Sequence, residues 1–276
     1  MITLRHGEWT ATVTVRGGAV ASLAKAGRDV LRPTSEGATD PLDFACFPLV
    51  PYANRIAGGR LAFEGREVSL PVLPQFAPHA LHGEGWLGLW ATLEQSDDRL
   101  VLSFDESDWP WRYEARQTLT VSDEGLKIDL VLTNRDERSM PAGLGLHPYF
   151  ERLPNSRLDA PTTGVWIGDG IVPDRLVPSN AVADWTDRSL IGAPFVDHCF
   201  EGWTSEARLT DDDGITTVRA SADRLHVYVP ASETYVCVEP VTHRPDVFNQ
   251  ASPGEQGFVV LAPGESLSMW MTVGRE

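Results

Sequence analysis

Cysteine is scarce in this sequence, and so are long apolar runs and positive charge. The three cysteines, Cys46, Cys199 and Cys237, are odd in number, far apart and without metal-ligand spacing. That excludes a disulfide framework and leaves reduced, mostly buried thiols as the expectation. The N-terminal MITLRHGEWTATVTVRGG runs straight into alternating residues with no basic leader and no apolar stretch. Neither a signal peptide nor a membrane span is expected there, and the cytoplasm is the expected location. With 23 Lys and Arg against 39 Asp and Glu, the formal charge is −16. A chain of that sign lacks the clustered cations that track phosphate backbones or anionic lipid, so nucleic acid and membrane are not expected as partners and a neutral small molecule fits better. A Gly-rich phosphate loop, a CxxC pair and a GxSxG elbow are also absent, and no cofactor and no metal are expected.

What is present is β-strand. Hydrophobic residues make up 42% and charged residues 22% of 276 positions, enough apolar material for a sizeable core. Polar and apolar residues alternate over Trp9 to Arg16, Leu61 to Leu70, Arg99 to Phe104, Tyr113 to Val121, Leu126 to Thr133, Ile215 to Ala220, Leu225 to Val229 and Leu267 to Val273. Glu64-Gly65, Asp123-Glu124-Gly125 and Asp212-Asp213-Gly214 supply hairpin chemistry between such runs. The 20 prolines and 24 glycines punctuate too often for long amphipathic helices. The pattern predicts an all-β fold, a large antiparallel sandwich or barrel, forming one domain over residues 1–276 with no linker that would divide it. The irregular stretch from Pro148 to Pro194 reads as long loops over one sheet face, with a short strand candidate at Gly164 to Ile167.

Five polar islands interrupt this apolar background: Asn54-Arg55, Leu81-His82-Gly83, Leu146-His147-Pro148-Tyr149-Phe150, Asp197-His198-Cys199-Phe200 and Val238-Glu239-Pro240. Glu239 follows the apolar run Tyr235 to Val238. A carboxylate at the end of a buried strand is costly unless it faces a polar cavity or a partner such as Arg244. His147 stands where a strand meets a proline, and its imidazole can hold or release a proton near neutral pH. A buried histidine bonded to backbone fits the same position. His79 and His82 are three residues apart in a loop context, weak support for a metal pair.

In this order and at these separations, from Phe47 to Asn249, the islands resemble the aldose 1-epimerase family, the galactose mutarotase-like enzymes that interconvert the anomers of free sugars. The resemblance implies the family's large twisted β-sandwich and an isomerase that needs one base and one acid. It implies Glu239 as the catalytic base, His147 as the catalytic acid, and the two meeting across one small pocket. His82, Arg55, Asn54 and Asp197 would bind the sugar, with Arg55 donating to hydroxyls and Asp197 accepting from paired ones. At the His147 island the better-known galactose mutarotases carry Asn-His-Ser-Tyr-Phe. Leu-His-Pro-Tyr-Phe here keeps the histidine and leaves the preferred sugar open. For the same segments, Arg55 would otherwise be a surface ion-pair partner and Asp197 a turn cap. Trp86, Trp90, Trp109 and Trp111 are candidates for either a stacking platform or the core. Two rival readings remain: a mutarotase of a hexose 6-phosphate, with Arg60 and Arg66 near Arg55, and a carbohydrate-binding protein without catalysis. A sandwich domain of a polysaccharide-degrading enzyme would bring a helical partner domain, for which the chain has no room. The oligomeric state is not encoded in any motif.

Overall fold

The computed structural model of the protein describes residues 1–105 and 108–276. Two large antiparallel sheets dominate it. The first has nine strands in the spatial order Ala91–Gln95, Arg99–Phe104, Tyr113–Ser122, Gly125–Asn134, Ser266–Arg275, Gly214–Ala220, Glu206–Asp211, Arg157–Asp159 and Arg188–Ser189. The second runs Arg175–Pro178, Gly164–Ile167, Val196–Glu201, Arg224–Val229, Tyr235–Val241, Gly145–Leu146 and Pro48–Leu49, with Tyr149–Glu151 also pairing Tyr235–Val241. A four-stranded sheet, Ile2–His6 to Arg28–Asp29, completes the large elements. Leu119, Ile128 and Met271 of the first sheet, Phe200, Val227 and Val238 of the second, and Leu4 and Val13 of the third enter one buried apolar cluster. The all-β architecture read from the sequence is the architecture found.

Period two explains the nine-stranded sheet. Along Tyr113–Ser122 every second residue is buried and its neighbours are partly or fully exposed, so one face packs on the core and the other is wet. The hairpin to Gly125–Asn134 stays in register from Tyr113↔Asn134 to Ser122↔Gly125. Gly125 closes it at φ 112°, where a β-carbon would lie 2.2 Å from the Val273 carbonyl oxygen. The run from Leu61 to Leu70 is likewise two short strands, Arg60–Phe63 and Arg66–Ser69, turning at Glu64-Gly65.

The second sheet is covered on both faces. Tyr235–Val241 is buried at every residue after the first. Val227, Val229, Val236 and Val238 point into the shared core, while Cys199, Cys237, Tyr149 and Phe47 belong to a second apolar cluster on the other side. The stretch between Pro148 and Pro194 departs from the loops expected. It contributes Tyr149–Glu151, Gly164–Ile167 and Arg175–Pro178 to this sheet and Arg157–Asp159 and Arg188–Ser189 to the first. Strands of two to four residues are too short for alternation to show, and their pairing partners lie far away in sequence.

Candidate functional site

Glu239 lies within its strand, not at its end, and the register explains how a carboxylate is tolerated there. On one side Tyr235–Val241 pairs continuously with Arg224–Val229, and Glu239 stands opposite His226. On the other side it pairs with Tyr149 at Cys237 and with Gly145 at Val241, leaving Val238 to Pro240 facing the His147-Pro148 break. Pro240 therefore sits where no ladder hydrogen bond is asked of it. His147 falls opposite Glu239 in that gap, and its backbone N–H donates to the Phe47 carbonyl at 3.0 Å. A single row thus crosses the sheet: Cys199, His226, Glu239, His147 and Phe47.

The expected base and acid stand side by side instead of across a pocket. His147 Nε2 is 3.3 Å from Glu239 Oε1, and the two side chains are 7% and 2% exposed. The His147 ring is clamped between Phe47 and Tyr149, each stacked at 4.7 Å between centroids. Its Nδ1 and Glu239 Oε2 are buried without a hydrogen-bond partner among the described residues. Burial raises Glu239 to about 8, with Asp197 adding to the rise and His226 and Arg55 opposing it. Burial, followed by the charge on His226, lowers His147 to about 3. Near neutral pH the adjacent pair consequently holds one proton.

His82 and Asn54 brace each other. The Asn54 backbone N–H donates to His82 Nδ1 at 3.1 Å and the His82 N–H to the Asn54 carbonyl at 2.9 Å. Burial and the neighbouring His147, Arg55 and His226 push His82 well below its ordinary range, so it is neutral, and the accepting Nδ1 leaves the proton on Nε2. Both residues have positive φ, 57° at Asn54 and 61° at His82, backbone strain of the kind that gathers at binding sites. Gly83 follows at φ 68°, where a β-carbon would meet the Val50 carbonyl oxygen at 2.3 Å. Asn54 Oδ1 in turn accepts from the Arg55 backbone N–H at 2.9 Å.

Asp197 is paired on both oxygens. Arg55 reaches Oδ2 at 3.3 Å and His226 Nε2 donates to Oδ1 at 2.7 Å. Burial works to raise Asp197, but the hydrogen bond from His226 and the charges of His226, Arg55 and His198 outweigh it and hold the carboxyl well below its usual range. His226 was not singled out from the sequence. It sits in the plain alternating run Leu225 to Val229, and the only signal there is an imidazole at a position opposite Glu239.

All six residues picked out from the sequence, Glu239, His147, His82, Asn54, Arg55 and Asp197, line one cavity of about 340 Å3 together with His226. Its aromatic wall is Phe76, Tyr149, Phe195, Tyr228 and Tyr235. Trp86, Trp90, Trp109 and Trp111 are buried and do not line it. Arg244, the other candidate partner for Glu239, instead donates to Gln256, Gln250 and the Pro245 carbonyl. His79 accepts from the Gly58 backbone N–H. The three cysteines are free and buried, as expected. Donor atoms of His147, Cys237 and Glu239 lie within 4.8 Å of one another, close enough to reach a single metal ion. Burial raises the Cys237 thiol well above its ordinary range, so it stands there as a neutral thiol. Among the described residues no helix is long and apolar enough to cross a membrane.

Comparison with known proteins points one way. The aldose 1-epimerase family model matches residues 1–274. The uncharacterized protein YphB of Escherichia coli K12 is 30% identical over 98% of this chain and 97% of its own length. A crystal structure of an E. coli K12 protein provisionally named aldose 1-epimerase superposes with a TM-score of 0.88 at 30% identity, covering 99% of this chain and 98% of that one. A GalM/aldose epimerase homologue from C. elegans shares the fold at 16% identity, with a TM-score of 0.84 over 100% and 98% of the two chains.

Proposed function

The chain belongs to the aldose 1-epimerase family, and from that premise we propose that it interconverts the α and β anomers of a free aldose. The observation that carries this reading is the Glu239–His147 pair, 3.3 Å apart on the wall of a cavity whose volume of about 340 Å3 suits a monosaccharide. Opening a cyclic hemiacetal removes the proton from the anomeric hydroxyl and places one on the ring oxygen. Both oxygens are bonded to the same carbon, so a base and an acid that are neighbours can serve them together.

The shared proton rests on Glu239 and first passes to His147 across the 3.3 Å contact; Glu239, then a carboxylate, takes the hydroxyl proton while His147, then an imidazolium, donates to the ring oxygen. The open aldehyde rotates and recloses with the roles exchanged. The pair needs one proton between its two members, and each turnover returns it. His82 presents its Nε2–H to a sugar oxygen, and Arg55 and Asp197 contact hydroxyls farther along the ring. No resident cofactor is required for these steps.

The substrate is read as an unphosphorylated aldose because Arg60 and Arg66 do not line the cavity, and Arg60 is paired with Glu67 at 2.9 Å. Polarimetry of freshly dissolved α-glucose or α-galactose tests the proposal. With Glu239→Gln, kcat should fall by about 10²- to 10⁴-fold while sugar binding persists. Undiminished mutarotation by this variant would sink the assignment, and a wild-type protein that binds sugar without speeding anomer exchange would be a binding protein instead.

A further inference from the structure

Among the described residues lining the cavity, His226 is the one histidine for which anomer exchange has given no task. It is 3% exposed, too buried for water to solvate a charge. Its row position places Glu239 directly beside it on one strand, and the hydrogen bond of 2.7 Å ties it to Asp197 on the other. A carboxylate only accepts, so Nε2 carries a proton. Asn54 Nδ2 is nearly equidistant from Nδ1 and Nε2, at 3.3 and 3.4 Å, and so does not lie along the axis of the Nδ1 lone pair. The Asn54 amide N–H there can be accepted only by an unprotonated Nδ1, but it is long and off-axis, a weaker demand than the short hydrogen bond to Asp197 on the other nitrogen.

We propose that His226 is a positioning residue which, held as an imidazolium by Asp197, keeps one fixed positive charge beside Glu239 and thereby sets the pH range over which Glu239 and His147 share a single proton. This rests on the reading of Glu239 and His147 as the reacting pair. The groups facing His226 are Glu239 on one neighbouring strand, Asp197, His198 and Cys199 on the other, Tyr228 two residues along its own strand, and Arg55, His82 and His147 across the cavity. Burial works against a charge on His226, but Glu239, when ionised, and then the hydrogen bond and charge of Asp197 outweigh it and raise the imidazole above its ordinary range. Its charge acts in the same direction on both members of the pair, lowering Glu239 and lowering His147. Deleting that charge would make protonation of both easier, and the whole activity profile would move to higher pH.

His226→Gln keeps a donor for Asp197 and removes the charge. In polarimetry corrected for uncatalysed exchange, the alkaline limb of kcat/KM should move up by about one to three units, the shift expected from losing a single opposite charge at close range. A limb that stays in place while activity falls equally at every pH would show a structural role and overturn the proposal. Should the variant fail to fold, ¹⁵N-edited NMR of the wild-type imidazoles decides it. His226 should carry protons on both ring nitrogens at pH 7 while His147 does not, and a neutral His226 overturns the proposal. The NMR result does not depend on turnover, so it remains readable even if Glu239→Gln retains full mutarotation and the functional reading itself fails.

Discussion

The two carboxylates of the cavity are built in opposite ways. At one end Asp197 has an imidazole at 2.7 Å on one oxygen and a guanidinium at 3.3 Å on the other. At the other end Glu239 has one oxygen without a partner and the second 3.3 Å from a histidine that is itself neutral. Both side chains are shielded from water, yet Asp197 is held below the ordinary carboxylate range and Glu239 is raised to about 8. A carboxylate whose oxygens are engaged has little left to gain by taking a proton, which suits holding and orienting hydroxyls. One left unsatisfied in a dry site gains much from a proton, which suits proton transfer. The proposed function thus assigns anchoring and reacting to two carboxylates only a few residues of sheet apart.

Exchanging the charge at the reacting end breaks this comparison most severely. Glu239→Gln should cost mutarotation the 10²- to 10⁴-fold of a positioned proton transfer and also make the protein more stable at alkaline pH. The sign follows from the raised value. A group whose folded pKa lies above its unfolded one contributes stability that is complete below the unfolded value, about 4.3 for glutamate, and is lost as pH rises through about 8. The glutamine variant escapes that loss. Its melting temperature should exceed that of the wild type by a few degrees at pH 8.5, with the gap closing toward pH 4. Equal melting temperatures at pH 8.5 would mean that Glu239 is hydrated and the contrast with Asp197 false.

At the anchoring end the expected loss is smaller and of another kind. Asp197→Asn keeps the size and removes the charge, so hydrogen bonds from sugar hydroxyls lose the ionic contribution of about 1.5–3 kcal/mol. KM should rise roughly tenfold to a hundredfold, with a lesser change in kcat. A fall in kcat alone would move Asp197 into the reacting group.

The pH profile sharpens the same contrast without a mutation. If the pair works with one proton, kcat/KM is level through neutral pH and falls tenfold per unit above about 8, where Glu239 and His147 lose that proton. A decline toward acid from pH 8 to 6 would mean that Glu239 must be fully ionised and His147 is not its proton partner.

How much of this was legible in the sequence follows from which contacts are local. Arg99–Phe104 and Gly164–Ile167 are strands with the bounds read from the sequence, the first from its alternation and the second from its place between prolines, although Leu100, Val101 and Leu102 are buried in succession and do not keep a spacing of two. The six polar residues were found because each stands in a short motif that breaks an apolar run. His226 was not, since its only distinguishing property is the residue across the ladder. Register between Arg224–Val229 and Tyr235–Val241 is fixed by the whole sheet, not by either segment. The stacking of Phe47 and Tyr149 on His147 was hidden for the same reason, and the nine tryptophans drew attention that belonged to tyrosines.

The smallest expected effect lies outside the cavity. Arg60 and Arg66 sit on an exposed hairpin, and Arg60 is engaged by Glu67 in a surface pair, an arrangement worth at most about 1 kcal/mol. Replacing both with alanine should alter kcat/KM for glucose less than about twofold, and glucose 6-phosphate should be no better a substrate than glucose for either protein. The reason is electrostatic. Arg55 is the one guanidinium among the described residues lining the cavity, and it already faces Asp197. A phosphate dianion placed there would meet the ionised Asp197, and the cations beside it, Arg55 and His226, are already paired with that carboxylate. A marked preference for the phosphate, lost in the double variant, would show that the hairpin closes over the sugar's far end and that the anchoring end extends beyond Asp197.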